Sequence, residues 1–300
     1  RGQERNQERN QEREISFTKW GSVRHQALDN LRRLDASTLC EYNVSKLNDY
    51  LGAIFPTQLV TIAADAGIGK SDLCLQLIAH NAMKGKNIIY YQLEMSSEEI
   101  IYRNTYTALN KKLIASNIPC ISMINFSMNR FTDYQRKALD ELTFDKNMEQ
   151  VLIYTGDSLD LDSFLSSFKM IIESKPDLVV IDHLHYFTME GDNLSDNVGR
   201  IMRELKQLTK KYRIPIILVS HLRRRDELKD PSLADLFGSS NIGKESDVVI
   251  FITRDREGSE TTFHIGKGRI AGNGKSVTAV YDENLHVYKN AVAVTKPIIF

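Results

Sequence analysis

The chain has 300 residues, 42% hydrophobic and 26% charged, which describes a globular protein with material for one large core, or one core and a small appendage. No apolar run approaches the roughly 18 residues of a spanning helix and the N-terminus has no signal-peptide h-region, so no membrane association is expected. The 39 Lys+Arg balance 39 Asp+Glu, which leaves any nucleic-acid affinity to a local basic patch, and the scattered Cys40, Cys74 and Cys120 argue against a disulfide framework or zinc site and for a reducing, cytoplasmic compartment.

Residues 1–14, RGQERNQERNQERE, repeat a polar unit that cannot contribute to a core and read as a low-complexity solvated arm or an appended remnant. Residues 15–41 form a linker in which SVRHQALDNLRRL (22–34) sets Val23, Ala27, Leu31 and Leu34 at helical spacing. That amphipathic helix packs either on its own domain or on a neighbouring subunit. From Tyr42 the pattern alternates. QLVTIAA (58–64) predicts a buried strand, SDLCLQLIAHNAMK (71–84) a helix stopped by Gly85, and NIIYYQL (87–93) the next strand. Ser96 and Glu99 predict a capping box for a helix to about Ala108. Strands follow at 151–156, 177–182, 214–220 and 247–253, with helices at about 160–173 and 195–212. This alternation implies an α/β fold with a mostly parallel sheet covered on both faces. The last strands, 261–267, 276–282 and 285–289, follow without helices and predict an antiparallel C-terminal extension.

The loop between the first strand and helix, Ala64, Asp65, Ala66, Gly67, Ile68, Gly69, Lys70 and Ser71, fits G-x-x-x-x-G-K-[ST] except that Ala64 replaces the first glycine. In that setting backbone N–H groups and the helix N-terminus cradle phosphates, Lys70 reaches the β- and γ-phosphates of ATP, and the Ser71 hydroxyl coordinates magnesium. Asp182, at the end of DLVVID, is the expected carboxylate partner of that magnesium. Glu94, closing the strand after the first helix, is the expected base for the attacking water; its alternative role is a solvent-facing cap.

The run LEMSSEE resembles the corresponding stretch of DnaB-type replicative helicases, whose phosphate loop commonly carries alanine at the position of Ala64. VVIDHLHYF is similar to the family's magnesium strand, IMRELKQLTKKYRIPIILVSHL to its next helix and strand, and DLFGSSNIGKESDVVIFITR to its DNA-loop segment. The resemblance covers about Tyr42 to Lys289 and implies a RecA-like helicase ATPase domain over 42–290, followed by a tail at 291–300. It implies that Glu94 polarises the water and that His221 senses the γ-phosphate, the histidine being similar to phage primase-helicases and their mitochondrial relatives. Lys267 and Arg269 match a K-x-R pair that reaches the adjacent subunit's nucleotide; their spacing alone would make them surface charges on a hairpin. Arg254 and Tyr281 resemble a pair that sandwiches adenine.

For DNA, the resemblance implies phosphate contacts from Arg223, Arg224, Arg225 and Lys229, and from the loop Phe237, Gly238, Ser239, Ser240 and Asn241, with Phe237 either stacking on a base or packing inward. The expected activity is ATP-dependent translocation of a homo-oligomeric, hexameric ring along single-stranded DNA, 5′ to 3′, with primase and a helicase loader as further candidate partners. The competing readings are a RecA-like recombination or plasmid-maintenance ATPase without unwinding, and a nucleotide-dependent loader or switch, against which Glu94 argues.

Overall fold

In the computed structural model, residues 18–143, 145–154, 156, 159–188, 194–223, 230–237, 240–254 and 258–290 are described. The predicted arm at 1–14 and tail at 291–300 lie outside them. The chain divides into two units at Thr38 and Leu39. The first holds helix α1 (Trp20–Arg33), with Arg32 and Arg33 in its last turn facing the negative end of the helix dipole. No α1 residue is buried, and Val23, Leu28, Leu31 and the following Leu34 are exposed.

The second unit is built on a nine-stranded sheet. Its elements in chain order are α2 (Ser45–Leu51), β1 (Leu59–Ala64), α3 (Lys70–Met83), β2 (Ile88–Gln92), α4 (Ser97–Ala115), α5 (Met123–Ser127), α6 (Asp133–Asp140), β3 (Leu152–Ile153) and β4 (Leu159–Asp160). There follow α7 (Leu161–Ile171), β5 (Leu178–Asp182), β6 (Phe187–Thr188), α8 (Leu194–Tyr212), β7 (Ile216–His221), α9 (Ser240–Glu245), β8 (Val248–Arg254), β9 (Glu260–Gly268), β10 (Ser276–Asp282) and β11 (Val287–Asn290). The strand order is β11-β10-β9-β8-β1-β7-β5-β2-β3; β8 through β3 run parallel and β9 to β11 antiparallel. This is the predicted mostly parallel sheet with an antiparallel C-terminal extension.

Central strands are apolar on both faces because both are covered. Val60 and Ile62 of β1 join Leu73 and Leu77 of α3 and Val180 and Ile217 in one core. The alternate residues Leu59 and Ala63 join Phe164 and Phe168 of α7, Met202 and Leu205 of α8, and Leu218 in the other. A fully buried Phe or Leu contributes about 1.5–3 kcal/mol, so these two layers dominate the stability of the unit.

Three local expectations are corrected. The helix after Ser96 runs to Ala115 instead of about Ala108, because Leu109 and Leu113 pack with Phe126 of α5 and Ala138 of α6 in a third cluster. The capping box is only half formed: the Ser96 hydroxyl accepts from the Glu99 N–H at 3.2 Å, but the Glu99 carboxylate turns to Arg103 at 3.0 Å. The expected strand at 151–156 is reduced to Leu152–Ile153 among the described residues.

Candidate nucleotide site

Parallel strands end together at one edge of the sheet, where ligands of open α/β folds bind. Ala64 ends β1 opposite His221 of β7, and Asp182 ends β5 opposite Gln92 of β2. The phosphate loop leaves this edge after Ala64, which is fully buried in the strand and has no positive φ; the left-handed turns fall at Gly67 (φ 77°) and Gly69 (φ 96°). Alanine therefore fits position 64, and glycine is needed where the backbone turns over.

Lys70, the first residue of α3, is 6% exposed and its ammonium donates to the carbonyls of Asp65 (2.8 Å) and Ala64 (3.3 Å). Burial lowers its pKa, opposed by Asp182, Glu94 and Asp65. Asp182 is completely buried, and burial pushes its carboxyl up to about 6, against the Ser71 hydroxyl and the Tyr90 hydroxyl that donates at 3.1 Å. Its Oδ1 is buried without a hydrogen-bond partner. A carboxylate oxygen left over beside a serine hydroxyl at the phosphate-loop helix fits a hard divalent cation, which would offset the desolvation of the charge. Ser71 and Asp182 are thus the residues that would hold magnesium.

Glu94 lies two residues beyond β2. The Gln92 amide oxygen accepts from the N–H groups of Glu94 (2.5 Å) and Met95 (2.7 Å), fixing the turn. The Glu94 carboxylate, 42% exposed, has Oε2 3.3 Å from His183 Nε2. His183 Nδ1 accepts from the His185 N–H at 3.3 Å, which leaves the proton on Nε2, a buried nitrogen that is close to the Glu94 carboxylate but makes no hydrogen bond. Burial, then the neighbouring His221 and His185, lowers His183 to about 3 and keeps it neutral. His221, lowered to about 4 by burial and then by Lys70, packs edge-on against His183 with centroids 4.2 Å apart.

The nucleic-acid candidates join this edge through backbone. The Phe237 N–H donates to His221 O (3.2 Å), Leu222 bridges Leu236, and the Arg223 N–H donates to Asp235 O (2.7 Å). Phe237 is 40% exposed, with its ring 4.9 Å from His185, whose Nε2 is 3.3 Å from Phe237 O. It therefore packs on the histidine cluster with one side accessible. Arg223 is exposed; Arg224, Arg225, Lys229, Gly238 and Ser239 lie outside the described residues. Ser240 and Asn241 belong to the first turn of α9 and not to a loop.

On the base side, the Arg254 guanidinium rests on the Tyr281 ring at 4.2 Å and donates to Gly67 O at 3.4 Å. The two residues of the expected adenine pair thus stand together beside the phosphate loop, in contact with one another. Arg254 Nη1 is buried without a partner.

Lys267 and Arg269 are not brought to this site. Lys267 donates to the carbonyls of Gly243 (2.7 Å) and Lys244 (3.0 Å), and Arg269 Nη1 pairs with Asp247 Oδ1 at 2.8 Å. Asp247 also accepts from the Leu59 N–H at 2.8 Å and pairs with Lys206 of α8. Leu59 and Ala64 stand five residues apart on β1, so Arg269 is anchored about 17 Å below the phosphate edge, at the other end of the strands. Sequence reasoning passed over His183, His185, Gln92, Asp247 and Lys206; the histidines stand within the quoted VVIDHLHYF, whereas nothing local marks the others.

The chain is 27% identical over 212 residues to a probable replicative DNA helicase of Trieres chinensis, covering 67% of this chain and 44% of that protein. It is 26% identical over 216 residues to a probable plasmid replicative DNA helicase of Chlamydia trachomatis (70% and 46%), and 25% over 231 residues to the replicative DNA helicase DnaB of Treponema pallidum (75% and 50%). The chain thus spans about half the length of the curated relatives it matches. Among solved structures, a DnaB-like replicative helicase studied with its primase interactions superposes with a TM-score of 0.75 at 18% identity, covering 91% of this chain and 69% of that one. The RadB recombinase gives 0.55 at 14%, covering 85% and 100%. These likenesses give the fold, the RecA-like arrangement expected from the alternating strands and helices. The family model described as the DnaB-like helicase C-terminal domain matches residues 41–290, and the chain belongs to that family.

Proposed function

We propose that this chain is the motor domain of an ATP-driven replicative DNA helicase, working as a hexameric ring on single-stranded DNA and moving 5′ to 3′. What supports it above all is the division of the chemistry between the two ends of the sheet. Lys70, Ser71, Asp182, Glu94 and His221 converge at the phosphate edge, while Lys267 and Arg269 lie away from it, where they would meet a neighbouring chain's nucleotide. A complete site then requires two chains, as in a ring.

MgATP would supply the transferring phosphoryl group and a metal that neutralises its charge. The residues do the remaining work. Lys70 holds the β- and γ-phosphates, Glu94 orients the attacking water and accepts its proton, and the neutral, buried His183 lines the side of Glu94 away from solvent. His221 meets the γ-phosphate and, through its backbone bond to Phe237, would pass its position to the DNA segment. On this reading the amphipathic helix α1 is a linker helix that docks on a neighbouring subunit.

The test is strand displacement on a forked DNA, run with ATPase measurements with and without single-stranded DNA. Wild-type chain should displace the strand and be stimulated by DNA, and Lys70→Ala should lose both activities while staying folded. DNA-stimulated hydrolysis without displacement would replace this reading with the RecA-like recombination or maintenance ATPase. Primase, a loader and the polarity of movement are proposals on the same footing, open to pull-down and directional displacement assays.

A further inference from the structure

The C-terminal hairpin β10–β11 does more than widen the sheet. Tyr288 is 3% exposed, and its hydroxyl lies 2.6 Å from Ile68 O and 3.2 Å from Gly69 O, in the middle of the phosphate loop. A phenol has one proton to donate. Gly69 O already accepts the first bond of α3 from the Leu73 N–H at 3.0 Å, so Ile68 O is the carbonyl that depends on Tyr288.

The side chain is held rigidly. The Tyr288 N–H donates to Gln76 Oε1 (2.7 Å) and its carbonyl accepts from Gln76 Nε2 (2.9 Å), so α3 and β11 exchange a matched pair of bonds. The ring meets Phe263 edge-on at 5.2 Å and Tyr281 at 5.0 Å. A Cβ at Gly69 would lie 2.7 Å from the Tyr288 hydroxyl, so a side chain there would displace it.

In a trans peptide the C=O and N–H point in opposite directions. Drawing Ile68 O outward onto Tyr288 therefore aims the Gly69 N–H to the inner side of the loop, where successive amides form an anion-binding concavity. We propose that Tyr288 is a positioning residue for the triphosphate: its hydroxyl sets the Ile68–Gly69 peptide so that the loop is preorganised to receive phosphate oxygens. This deepens the nucleotide-site reading and rests on it.

Tyr288→Phe removes one oxygen and keeps the ring. Its affinity for a fluorescent ATP analogue with magnesium and for inorganic tripolyphosphate, which has no base, should fall by a similar factor, roughly twofold to thirteenfold for one net hydrogen bond. In steady-state hydrolysis KM should rise by that factor with kcat little changed, and the thermal shift induced by MgATP should shrink. Unchanged affinity for both probes together with a lower melting temperature would make the hydroxyl merely structural and overturn the proposal. A loss seen with the ATP analogue and not with tripolyphosphate would place the effect at the base and overturn it equally. Lys70→Ala is run beside it: if that variant binds both probes like wild type, the phosphate-loop reading falls first and this proposal with it.

Discussion

Arg269 offers the sharpest test of a shared site. It is tied to Asp247, about 17 Å along the strands from the phosphate edge of its own chain, so a catalytic role requires a neighbour's nucleotide. Arg269→Ala should fold, since the guanidinium is 59% exposed and Asp247 keeps Lys206 and the Leu59 N–H; the stability cost should stay within about 1 kcal/mol. A trans arginine contributes roughly 10³–10⁵ in turnover, so the pure variant should be nearly silent. A Glu94→Gln chain is silent for the other reason, losing its base while still presenting Arg269. In mixed rings, an interface is complete only where an Arg269→Ala chain holds the nucleotide and a Glu94→Gln chain supplies the arginine. With random assembly and independent sites, activity follows the product of the two mole fractions and peaks at about a quarter of wild type at equal mixing. Coupled firing that tolerates some dead sites lowers the peak and leaves its position, whereas strictly sequential firing erases it, since every Glu94→Gln chain keeps a dead site of its own. The assay is ATPase rate against mixing ratio with single-stranded DNA, after subunit exchange is demonstrated by a fluorescent label. Full activity of pure Arg269→Ala would refute the trans assignment, as would a flat profile in demonstrably mixed rings when wild-type rings doped with Glu94→Gln chains keep hydrolysing.

Glu94→Gln alone should keep MgATP affinity and lower turnover by roughly 10²–10⁴, since the amide retains the shape and loses the basicity; weakened binding with normal turnover per bound nucleotide would assign Glu94 to structure instead. Acid should destabilise the nucleotide-free chain through its histidines. His183 and His221, held at about 3 and about 4 chiefly by burial, stay neutral when folded, whereas unfolded histidines take protons below about 6.5. Their contribution is fully present above pH 6.5 and is lost as pH falls toward 4. Asp182, raised to about 6 by burial, has the opposite sign, because the folded chain takes up its proton first. The urea midpoint should therefore drop less between pH 7 and pH 4.5 in a His183→Gln/His221→Gln variant than in wild type, and more in Asp182→Asn; equal slopes in all three would show that burial does not set these ionisations.

The elements that carry the phosphate edge were legible because their signals are local. A buried apolar strand, two glycines at the turns and a Lys-Ser pair opening a helix all fall within residues 58–84, and Asp182 and Glu94 announce themselves as carboxylates at or just past the ends of strands. The short helices α2, α5 and α6 were not, since five to eight residues give a helical period too little room to declare itself. Tyr288 reaches the loop across 220 residues of sequence, and the meeting of His183 with His221 needs β5 and β7 side by side. Lys267 shows the converse. Its spacing from Arg269 fits a paired role, yet its ammonium closes the C-terminal carbonyls of α9, a contact invisible until that helix is seen to end beneath it.

The backbone bonds that join His221, Leu222 and Arg223 to Asp235, Leu236 and Phe237 pin together the two ends of an intervening stretch. Once the ends are clamped, the entropy of closing the stretch grows only with the logarithm of its length, so each doubling costs about 0.6 kcal/mol. A change in the number of residues between Arg223 and Asp235 therefore costs little at the clamp itself, which stays as the backbone link through which His221 meets Phe237.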